Sequence, residues 1–151
     1  MRDETRNAAG NRRLADQLAD ARYLLDCLPV PVWRRDENLD LEYVNRAYAE
    51  AVGAEQSVSP GSLPELAGDT QGRNVVRRAK AGEQDASESI HVVLDGARRL
   101  VRINESRLPD GNNIVNYALD LTAAEESKGE LSRHIAAHED VLHLLGTAIA
   151  I

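Results

Sequence analysis

Three histidines close to the C-terminus, His134, His138 and His143, are the residues of this 151-residue chain that most directly suggest chemistry. His134 and His138 stand four residues apart, so one face of a helix would present both imidazoles, and neutral imidazole is a common metal ligand. No cysteine or further carboxylate stands at ligand spacing around them, which a metal site would need. We therefore predict no metal site, and we place these histidines on a helix seam or in solvent.

A phosphotransfer role is the second possibility, because His138-Glu139 is similar to the His-Glu pair of a kinase phosphoacceptor helix. The proline that this pattern has downstream is missing after Val141-Leu142-His143. The rest of the chain offers no nucleophile elbow, no glycine-rich phosphate loop and no pair of carboxylates with a catalytic rationale. We therefore predict no catalytic residue and no enzymatic activity.

Cys27 and His91 are the other side chains with ligand or nucleophile character. Cys27 lies at the end of an apolar helical stretch, and because cysteine is among the most buried residue types, we predict an inert packing role for it. His91 lies in the middle of a predicted strand, where we expect it to face outward.

The basic residues cluster at Arg77-Arg78 and again between Arg98 and Arg102. Exposed arginines mostly form a solvated face whose ion pairs contribute little to stability. Because guanidinium groups also bind carboxylates in a bidentate way, a small anionic ligand is the alternative. The predicted contact residues for such a ligand or for a protein partner are Arg77, Arg78 and Arg102.

Composition narrows the range of functions. The chain has 25 acidic and 18 basic residues and a formal net charge of −7, so a continuous phosphate-binding surface, and with it nucleic-acid binding, is not expected. The length fits one domain plus appendages. The single cysteine cannot form an internal disulfide, the first residues lack an apolar signal sequence, and no apolar run is long enough to cross a bilayer. We expect a cytoplasmic location without direct membrane insertion, and a membrane-attached parent stays open.

Residues 1–28 are predicted to form a helix that pairs with a partner helix. Apolar residues alternate there at intervals of four and three, which is the spacing of a coiled-coil seam. The seam residues are Leu14, Leu18, Ala21, Leu25 and Leu28.

Pro29 and Pro31 stop this helix, and an apolar pattern that suits strands follows. Residues 30–33 and 41–44 predict two strands around a polar turn at 36–38. Asn45 is predicted to cap a short helix that Gly53 ends, because its side chain can accept a hydrogen bond from a backbone N–H two or three residues further on.

The sequence predicts short helices between residues 54 and 82 and three strands between residues 87 and 119. Residues 54–70 indicate loops with a short helical turn, and residues 74–82 indicate a helix that buries Val75, Val76 and Ala79. Asp-Gly pairs then separate three strands, because glycine tolerates the positive φ of tight turns. The predicted strands are Ser87 to Leu94, Arg98 to Leu108 and Asn113 to Leu119.

A long second helix is predicted from residue 123 to residue 145. Thr122 and Glu125 fit a capping box, in which the threonine caps the helix and the glutamate reaches back. The following apolar positions alternate at intervals of three and four, as in a two-stranded coiled coil. The seam residues are Leu121, Ala124, Lys128, Leu131, Ile135, His138, Leu142 and Leu145.

The two ends of the chain are similar to each other at an offset of 117 residues. Leu14, Leu18 and Leu25 align with Leu131, Ile135 and Leu142, and Pro29 aligns with Gly146. Residues 146–151 are therefore predicted to begin the first strand of another copy, as in a tandem array. The predicted organisation is a dimerisation helix at 1–28, a domain at 29–122, a second helix at 123–145 and the start of a repeat at 146–151.

The stretch from Leu24 to Gly53, with its Val-Asn-Arg-Ala-Tyr sequence at 44–48, resembles the opening of a PAS domain. Asp120-Leu121-Thr122 is similar to the Asp-Ile-Thr triplet with which many PAS domains leave their last strand. The resemblance covers residues 29–122. The sequence is also similar to that of multi-PAS sensor histidine kinases of alphaproteobacteria. It implies an α+β fold in which a five-stranded antiparallel sheet carries short helices on one face.

The resemblance further implies a regulatory module of two-component signalling that forms a homodimer and relays ligand or partner binding to a downstream kinase module. The residues implied in signal transfer are Asp120, Thr122 and Glu125. Haem and flavin are disfavoured, because the predicted middle helix has no histidine and the Gly-x-Asn-Cys-Arg-Phe string of flavin-binding relatives is missing. The alternative is a PAS scaffold without ligand that binds a protein such as the receiver domain of a response regulator.

Overall fold

A five-stranded sheet lies between two long helices in the chain. The structure is a computed structural model that describes residues 2–55, 57–66, 85–109, 111 and 113–149. In chain order its elements are α1 (Arg2–Cys27), β1 (Val32–Arg35), β2 (Leu41–Val44), α2 (Arg46–Ala51), a 3₁₀ turn (Pro60–Ser62), β3 (Asp85–Leu94), β4 (Ala97–Arg107), β5 (Ile114–Asp120) and α3 (Thr122–Ile149).

All neighbouring strands are antiparallel, and their order across the sheet is β2-β1-β5-β4-β3. The first strand therefore lies beside the last strand in the middle of the sheet. Val32 pairs with Tyr117, and the N–H of Ala118 donates to the carbonyl of Pro31 at 3.0 Å. The segment that follows α1 thus runs directly beside the strand that leads into α3.

The strands alternate between a buried inner face and a more exposed outer face, as the two-residue period of a strand requires. The inner face and α2 enclose a core in which the rings of Trp33 and Tyr48 lie 5.2 Å apart. The buried residues of this core are Trp33, Leu41, Val44, Tyr48, Leu63, Leu66, Ile90, Val92, Val101, Ile103 and Ala118.

The tight turns depend on residues with positive φ. Asp95 and Gly96 connect β3 to β4 with φ values of 49° and 73°, which is the backbone twist that a two-residue hairpin needs. Gly53 follows α2 with a φ of 70°, so a residue without a Cβ suits the end of that helix. Both turns were predicted at these residues.

The predicted fold class is confirmed, with five antiparallel strands in the predicted places. Differences at strand ends are small: β3 begins at Asp85 rather than at Ser87, and β4 begins at Ala97 rather than at Arg98. The predicted short turn within residues 54–70 is present at Pro60–Ser62. The helix predicted at 74–82 lies outside the described residues.

The end of the second long helix differs from the prediction. The sequence predicts a strand from residue 146 onward, whereas α3 continues through Gly146 to Ile149. A glycine inside a helix costs only about 1 kcal/mol relative to alanine, and no proline follows that would end the helix. The local strand prediction is therefore wrong for residues 146–149, while the tandem array stays a prediction.

Candidate functional site: the two helix junctions and the polar interior

The junction between α1 and the domain is built around the side chain of Asn45, which is 0% exposed. Its Oδ1 accepts hydrogen bonds from the N–H groups of Val32 at 2.9 Å and Tyr48 at 3.1 Å. Its Nδ2 donates to the carbonyls of Leu25 and Val30, both at 2.9 Å. One buried amide therefore caps α2 as predicted and also holds the last turn of α1 and the start of β1.

A second hydrogen bond supports this N-terminal junction. The N–H of Arg46, at the first position of α2, donates to Oδ1 of Asp26 in the last turn of α1 at 2.8 Å. A carboxylate at the N-terminus of a helix also interacts favourably with the helix dipole. The end of α1 is thereby attached to α2 through two side chains, Asn45 and Asp26.

The junction between the domain and α3 is built around Asp120 and Thr122. The N–H of Thr122 donates to Oδ1 of Asp120 at 2.9 Å, and Oγ1 of Thr122 accepts from the N–H of Leu100 at 3.0 Å. The carbonyl of Leu100 accepts from the N–H of Leu121 at 2.8 Å. Both backbone groups of Leu100 in β4 are therefore bonded to the first residues after β5.

The charge of Asp120 has partners in the same junction. Its Oδ2 lies 3.5 Å from Nη1 of Arg99, in an ion pair whose two side chains are each more than two fifths exposed. Hydrogen bonds from the side chain and the backbone N–H of Thr122 hold the pKa of Asp120 below its ordinary value, and Arg99 adds to this effect. The C-terminal junction is consequently accessible to water, whereas Asn45 is not.

The predicted capping box at the start of α3 is corrected by these contacts. The N–H of Glu125 donates to the carbonyl of Leu121 at 2.9 Å, and the hydroxyl of Thr122 is used to bind Leu100 in the sheet. The physical reason is that α3 begins beside β4, so a sheet N–H competes for the hydroxyl. Thr122 fastens the helix to the sheet instead of capping it.

An ion pair lies in the interior beneath the sheet. Nη1 and Nη2 of Arg35 bind Oε1 and Oε2 of Glu65 at 2.8 Å and 2.5 Å, and Nη1 also donates to the carbonyl of Leu39 at 3.0 Å. Burial lowers the pKa of Arg35, but the hydrogen bond and charge of Glu65 outweigh it, so the net pKa is raised. The bidentate pair fixes the loop around residue 65 against β1.

Tyr48 connects α2 to the same loop. Its hydroxyl donates to the carbonyl of Pro64 at 3.0 Å and accepts from the N–H of Leu66 at 3.3 Å. Burial and the nearby charge of Glu65 raise the pKa of Tyr48 to about 12. The phenol therefore stays neutral at physiological pH and acts as a structural hydrogen-bonding group.

A second polar pair, Glu105 and Asn116, lies on the inner face of β4 and β5. The two residues are directly opposite in the register, and Nδ2 of Asn116 donates to Oε1 of Glu105 at 2.6 Å. Burial raises the pKa of Glu105, although the bond from Asn116 and the charge of Arg35 act in the other direction. Neither residue was among the sequence-predicted site residues.

A cavity of about 470 Å³ opens between the N-terminal junction and the ends of the strands. Its apolar lining includes Val101, Ala118 and Leu66, and its polar lining includes Asp26 and Asp120, one from each junction. A molecule in this cavity would touch both helix attachments at once.

The predicted seam residues of the long helices are mostly exposed within one chain. Leu14 is 65% exposed and Leu131 is 61% exposed, and Leu18, Leu28, Ile135 and His138 are also exposed. Leu25 is half-buried against its own domain, while the neighbouring Tyr23 and Leu24 are exposed. The side chains of Leu142 and Leu145 lie outside the described residues.

Of the three arginines predicted to contact a ligand or partner, the structure describes Arg102 alone. Arg102 is exposed between the buried residues Val101 and Ile103, so it lies on the outer face of the sheet and does not reach the interior. Arg77 and Arg78 lie outside the described residues. The correction follows from strand alternation, which places every second residue of β4 on the opposite face.

The structure also shows whether His91, Cys27 and Glu125 are buried or exposed. His91 is exposed on the outer face of β3, as expected. Cys27 is exposed rather than buried, because the end of α1 stands clear of the core. Glu125 is exposed on α3. Among the described residues, no group of three or more His, Cys, Asp and Glu side chains could hold a metal ion.

The helices of the described residues include none that has the length and apolar character to span a membrane. Of the two longest helices, α1 carries charged residues along its whole length and α3 carries them as far as Asp140.

Comparison with solved structures identifies the arrangement of sheet and helices. The PAS domain of BvgS from Bordetella pertussis matches with a TM-score of 0.51 and 22% identity over 82% of this chain and 98% of that chain. The PAS domain of an HTR-like protein from Haloarcula marismortui matches with a TM-score of 0.55 and 16% identity, over 75% and 98% of the two chains. The chain has the PAS fold. The resemblance predicted from Val-Asn-Arg-Ala-Tyr and Asp-Leu-Thr is thereby confirmed.

Sensor kinases are also among the proteins that match this chain. A domain of a sensory box sensor histidine kinase/response regulator from Geobacter sulfurreducens has a TM-score of 0.52 and 23% identity over 71% of this chain. The sensor protein DivL of Caulobacter vibrioides is 27% identical over 130 residues, which is 84% of this chain and 16% of DivL. The chain thus spans about a sixth of that relative. No protein-family model matches the sequence.

Proposed function

We propose that this PAS domain is a sensory and dimerisation module of a sensor histidine kinase, and that it passes ligand or partner binding through α1 and α3 to a downstream kinase module. The observation that carries the proposal is the attachment of two long helices with exposed apolar seams to one sheet through separate hydrogen-bonded junctions. The similarity to DivL supports the kinase context.

The two helices have physical reasons to pair. The 26 residues of α1 and the 28 residues of α3 correspond to about 39 Å and 42 Å at 1.5 Å per residue. Helices that pack against little else draw their stability from burying an amphipathic face. Pairing with a second copy through Leu14, Leu18, Leu131 and Ile135 would bury the exposed seam, so we infer a homodimer.

The relay would use the β4–β5 region. A shift of β4 relative to β5 changes the position of Leu100, whose two backbone groups hold Leu121 and Thr122. Such a shift would rotate α3 or change its register, which is a two-state element of the kind that switching needs. The module itself would be non-catalytic and act in the cytoplasm, and we expect it to work without haem or flavin.

A scaffold that binds a protein partner without a small ligand is the second candidate. The outer face of the sheet favours it, because Tyr117, Leu119 and Val93 are exposed there. The partner that would bind this face is, in this second candidate, the receiver domain of a response regulator. Native mass spectrometry of the chain purified from cells distinguishes the two, since a retained small molecule supports the sensor and a bare dimer supports the scaffold.

Sedimentation of seam variants tests the dimer. Ile135→Lys places a charge on the seam of α3 and should raise the dimer dissociation constant by at least about tenfold, which corresponds to about 1.4 kcal/mol. Ala136→Lys places the same charge beside the seam and is the matched control. A wild-type chain that sediments as a monomer at all concentrations would contradict the proposal.

Kinase output tests the relay. In the parent kinase, replacing Asp120 and Thr122 by alanine should make output independent of the input while the domain stays folded, because the sheet loses its attachment to α3. Circular dichroism of the same variant is the control. Loss of folding would assign the two residues a merely structural role.

A further inference from the structure

Glu105 and Asn116 hold two buried oxygens without hydrogen-bond donors. Glu105 is 2% exposed and Asn116 is 1% exposed. The hydrogen bond of 2.6 Å from Asn116 Nδ2 engages only Oε1 of Glu105. Oε2 of Glu105 and Oδ1 of Asn116 are buried and have no partner in the part of the chain that the structure describes. The pair of Glu105 and Asn116 therefore contains two buried acceptor oxygens without donors.

One proton would satisfy both oxygens. An ionised carboxylate and an amide carbonyl are both acceptors, so neither can bond to the other. A neutral carboxylic acid carries an O–H donor. A carboxylic acid and a primary amide that face each other can form a ring of two hydrogen bonds, with the amide N–H donating to one oxygen of the acid and the acid O–H donating to the amide oxygen.

We propose that Glu105 is a neutral carboxylic acid in the folded domain and that its Oε2–H donates to Oδ1 of Asn116. The pair then forms a closed acid–amide ring between β4 and β5, and it makes the joining of these strands sensitive to proton concentration. When the carboxylate of Glu105 takes up one proton from solvent, it gains an O–H group that can donate a hydrogen bond. This property is independent of the kinase role proposed above.

The surrounding charges are compatible with a neutral Glu105. Arg35 of β1 faces the same interior, and its charge acts against a neutral Glu105. Its Nη1 and Nη2 are bound by Glu65 and the carbonyl of Leu39, while its Nε has no partner among the described residues. Glu88 of β3 lies opposite Ile103, two positions from the residue that pairs with Glu105. The phenol of Tyr48 in α2 is neutral. Burial raises the pKa of Glu105, which also favours the neutral form.

The pH dependence has a definite sign. Because the folded domain holds the proton more tightly than the unfolded chain, the stabilisation is complete below the unfolded pKa of a glutamate, about 4.3, and is lost as pH rises through the higher folded pKa. Deprotonation leaves a buried anion whose Oε2 has no hydrogen-bond partner among the described residues. The β4–β5 pairing should then weaken.

Infrared spectroscopy of the whole chain tests the proton directly. At about pH 6, above the ordinary glutamate pKa of about 4.3, the wild type should show the carbonyl stretch of a protonated carboxyl group, and Glu105→Gln should lose this band. Glutamine keeps the ring, because its amide donates to Oδ1 of Asn116 and accepts from Nδ2. The variant should therefore fold as the wild type does, and the fall in unfolding midpoint with rising pH should disappear. Glu42→Gln, at an exposed glutamate of β2 that pairs with Arg34, is the matched control and should keep the band and the pH dependence.

Several results would overturn the inference. One is a wild type whose protonated carboxyl band at about pH 6 is no stronger than that of Glu105→Gln. A second is a Glu105→Gln variant with the same pH dependence as the wild type. A third is a small molecule, seen by native mass spectrometry in the wild type and lost in Glu105→Gln, because a bound donor would then satisfy the two oxygens.

Discussion

The two junctions that attach the long helices to this PAS fold use different chemistry for the same task. At the N-terminal junction, Asn45 is fully buried and uses its amide in four hydrogen bonds. At the C-terminal junction, Asp120 and Thr122 rely on a hydroxyl, a backbone N–H and an ion pair whose side chains are nearly half exposed. The bond between Asp120 and Thr122 and the ion pair are exposed to water, whereas the side chain of Asn45 is not.

This difference indicates which junction can move. Opening the N-terminal junction would leave buried donors and acceptors without partners, at about 1–3 kcal/mol for each group. Exposed ion pairs contribute only about 0–1 kcal/mol, and water competes for their hydrogen bonds. We therefore infer that α1 is held firmly to the domain and that the attachment of α3 opens more readily.

Asn45→Ala should have the largest effect. The substitution removes the cap of α2 and leaves the N–H of Val32 and the carbonyls of Leu25 and Val30 without their partner, so we expect a loss of about 3 kcal/mol in the free energy of unfolding. Urea denaturation measures it. Asn38→Ala, at an exposed turn, is the control, and a loss of less than about 1 kcal/mol at Asn45 would contradict a rigid N-terminal junction.

Thr122→Val should have an intermediate effect. Valine has the shape of threonine but cannot accept the hydrogen bond from Leu100, so about 1 kcal/mol of unfolding free energy should be lost. Thr122→Ser keeps the hydroxyl and should lose less. Equal losses for valine and serine would show that the methyl group, and not the hydrogen bond to the sheet, matters at this position.

Asp120→Asn should have a small effect that depends on pH. Because the pKa of Asp120 is lowered in the folded chain, its stabilisation is present above the unfolded value and is lost as pH falls through the folded pKa. The variant should be less stable than the wild type by under about 0.5 kcal/mol near neutral pH, after allowance for solvent screening, and equal to it in acid. Thermal unfolding across pH checks this, and a difference that grows in acid would refute it.

Glu42→Gln should have the smallest effect and sets the scale for an exposed pair. Its partner Arg34 lies 3.2 Å away, and both side chains are more than two fifths exposed. We expect a change of less than about 0.5 kcal/mol in urea denaturation. A loss comparable with that of Thr122→Val would mean that exposed contacts in this domain are stronger than assumed, and the contrast between the junctions would weaken.

At each helix junction, the sequence identifies residues that take part but not their partners far along the chain. The capping role of Asn45 was predictable because a cap acts over three residues, and the backbone N–H of Tyr48 is its partner. The bonds of Asn45 to Leu25 and Val30 span 20 and 15 residues, so they depend on the folded chain. For the same reason Thr122 was predicted to cap a helix, whereas it binds a strand 22 residues earlier.

The polar interior was missed, although the sequence contains a signal for it. Glu105 follows Val101 and Ile103 at intervals of two, so strand alternation places a carboxylate on the buried face. Cys27 shows the opposite case, since the average burial of cysteine does not apply to a helix end that stands clear of the core. Alternation within an element predicts burial better than residue type does.

Amide hydrogen exchange measured by NMR tests the contrast between the junctions most directly. The amide of Val32 is bonded to Asn45 and the amide of Leu100 to Thr122, so each reports the opening of one junction. We predict that Val32 exchanges only with global unfolding, whereas Leu100 exchanges through a local opening at a lower free energy. Exchange of Leu100 as slow as that of Val32, or faster exchange at Val32, would contradict the account.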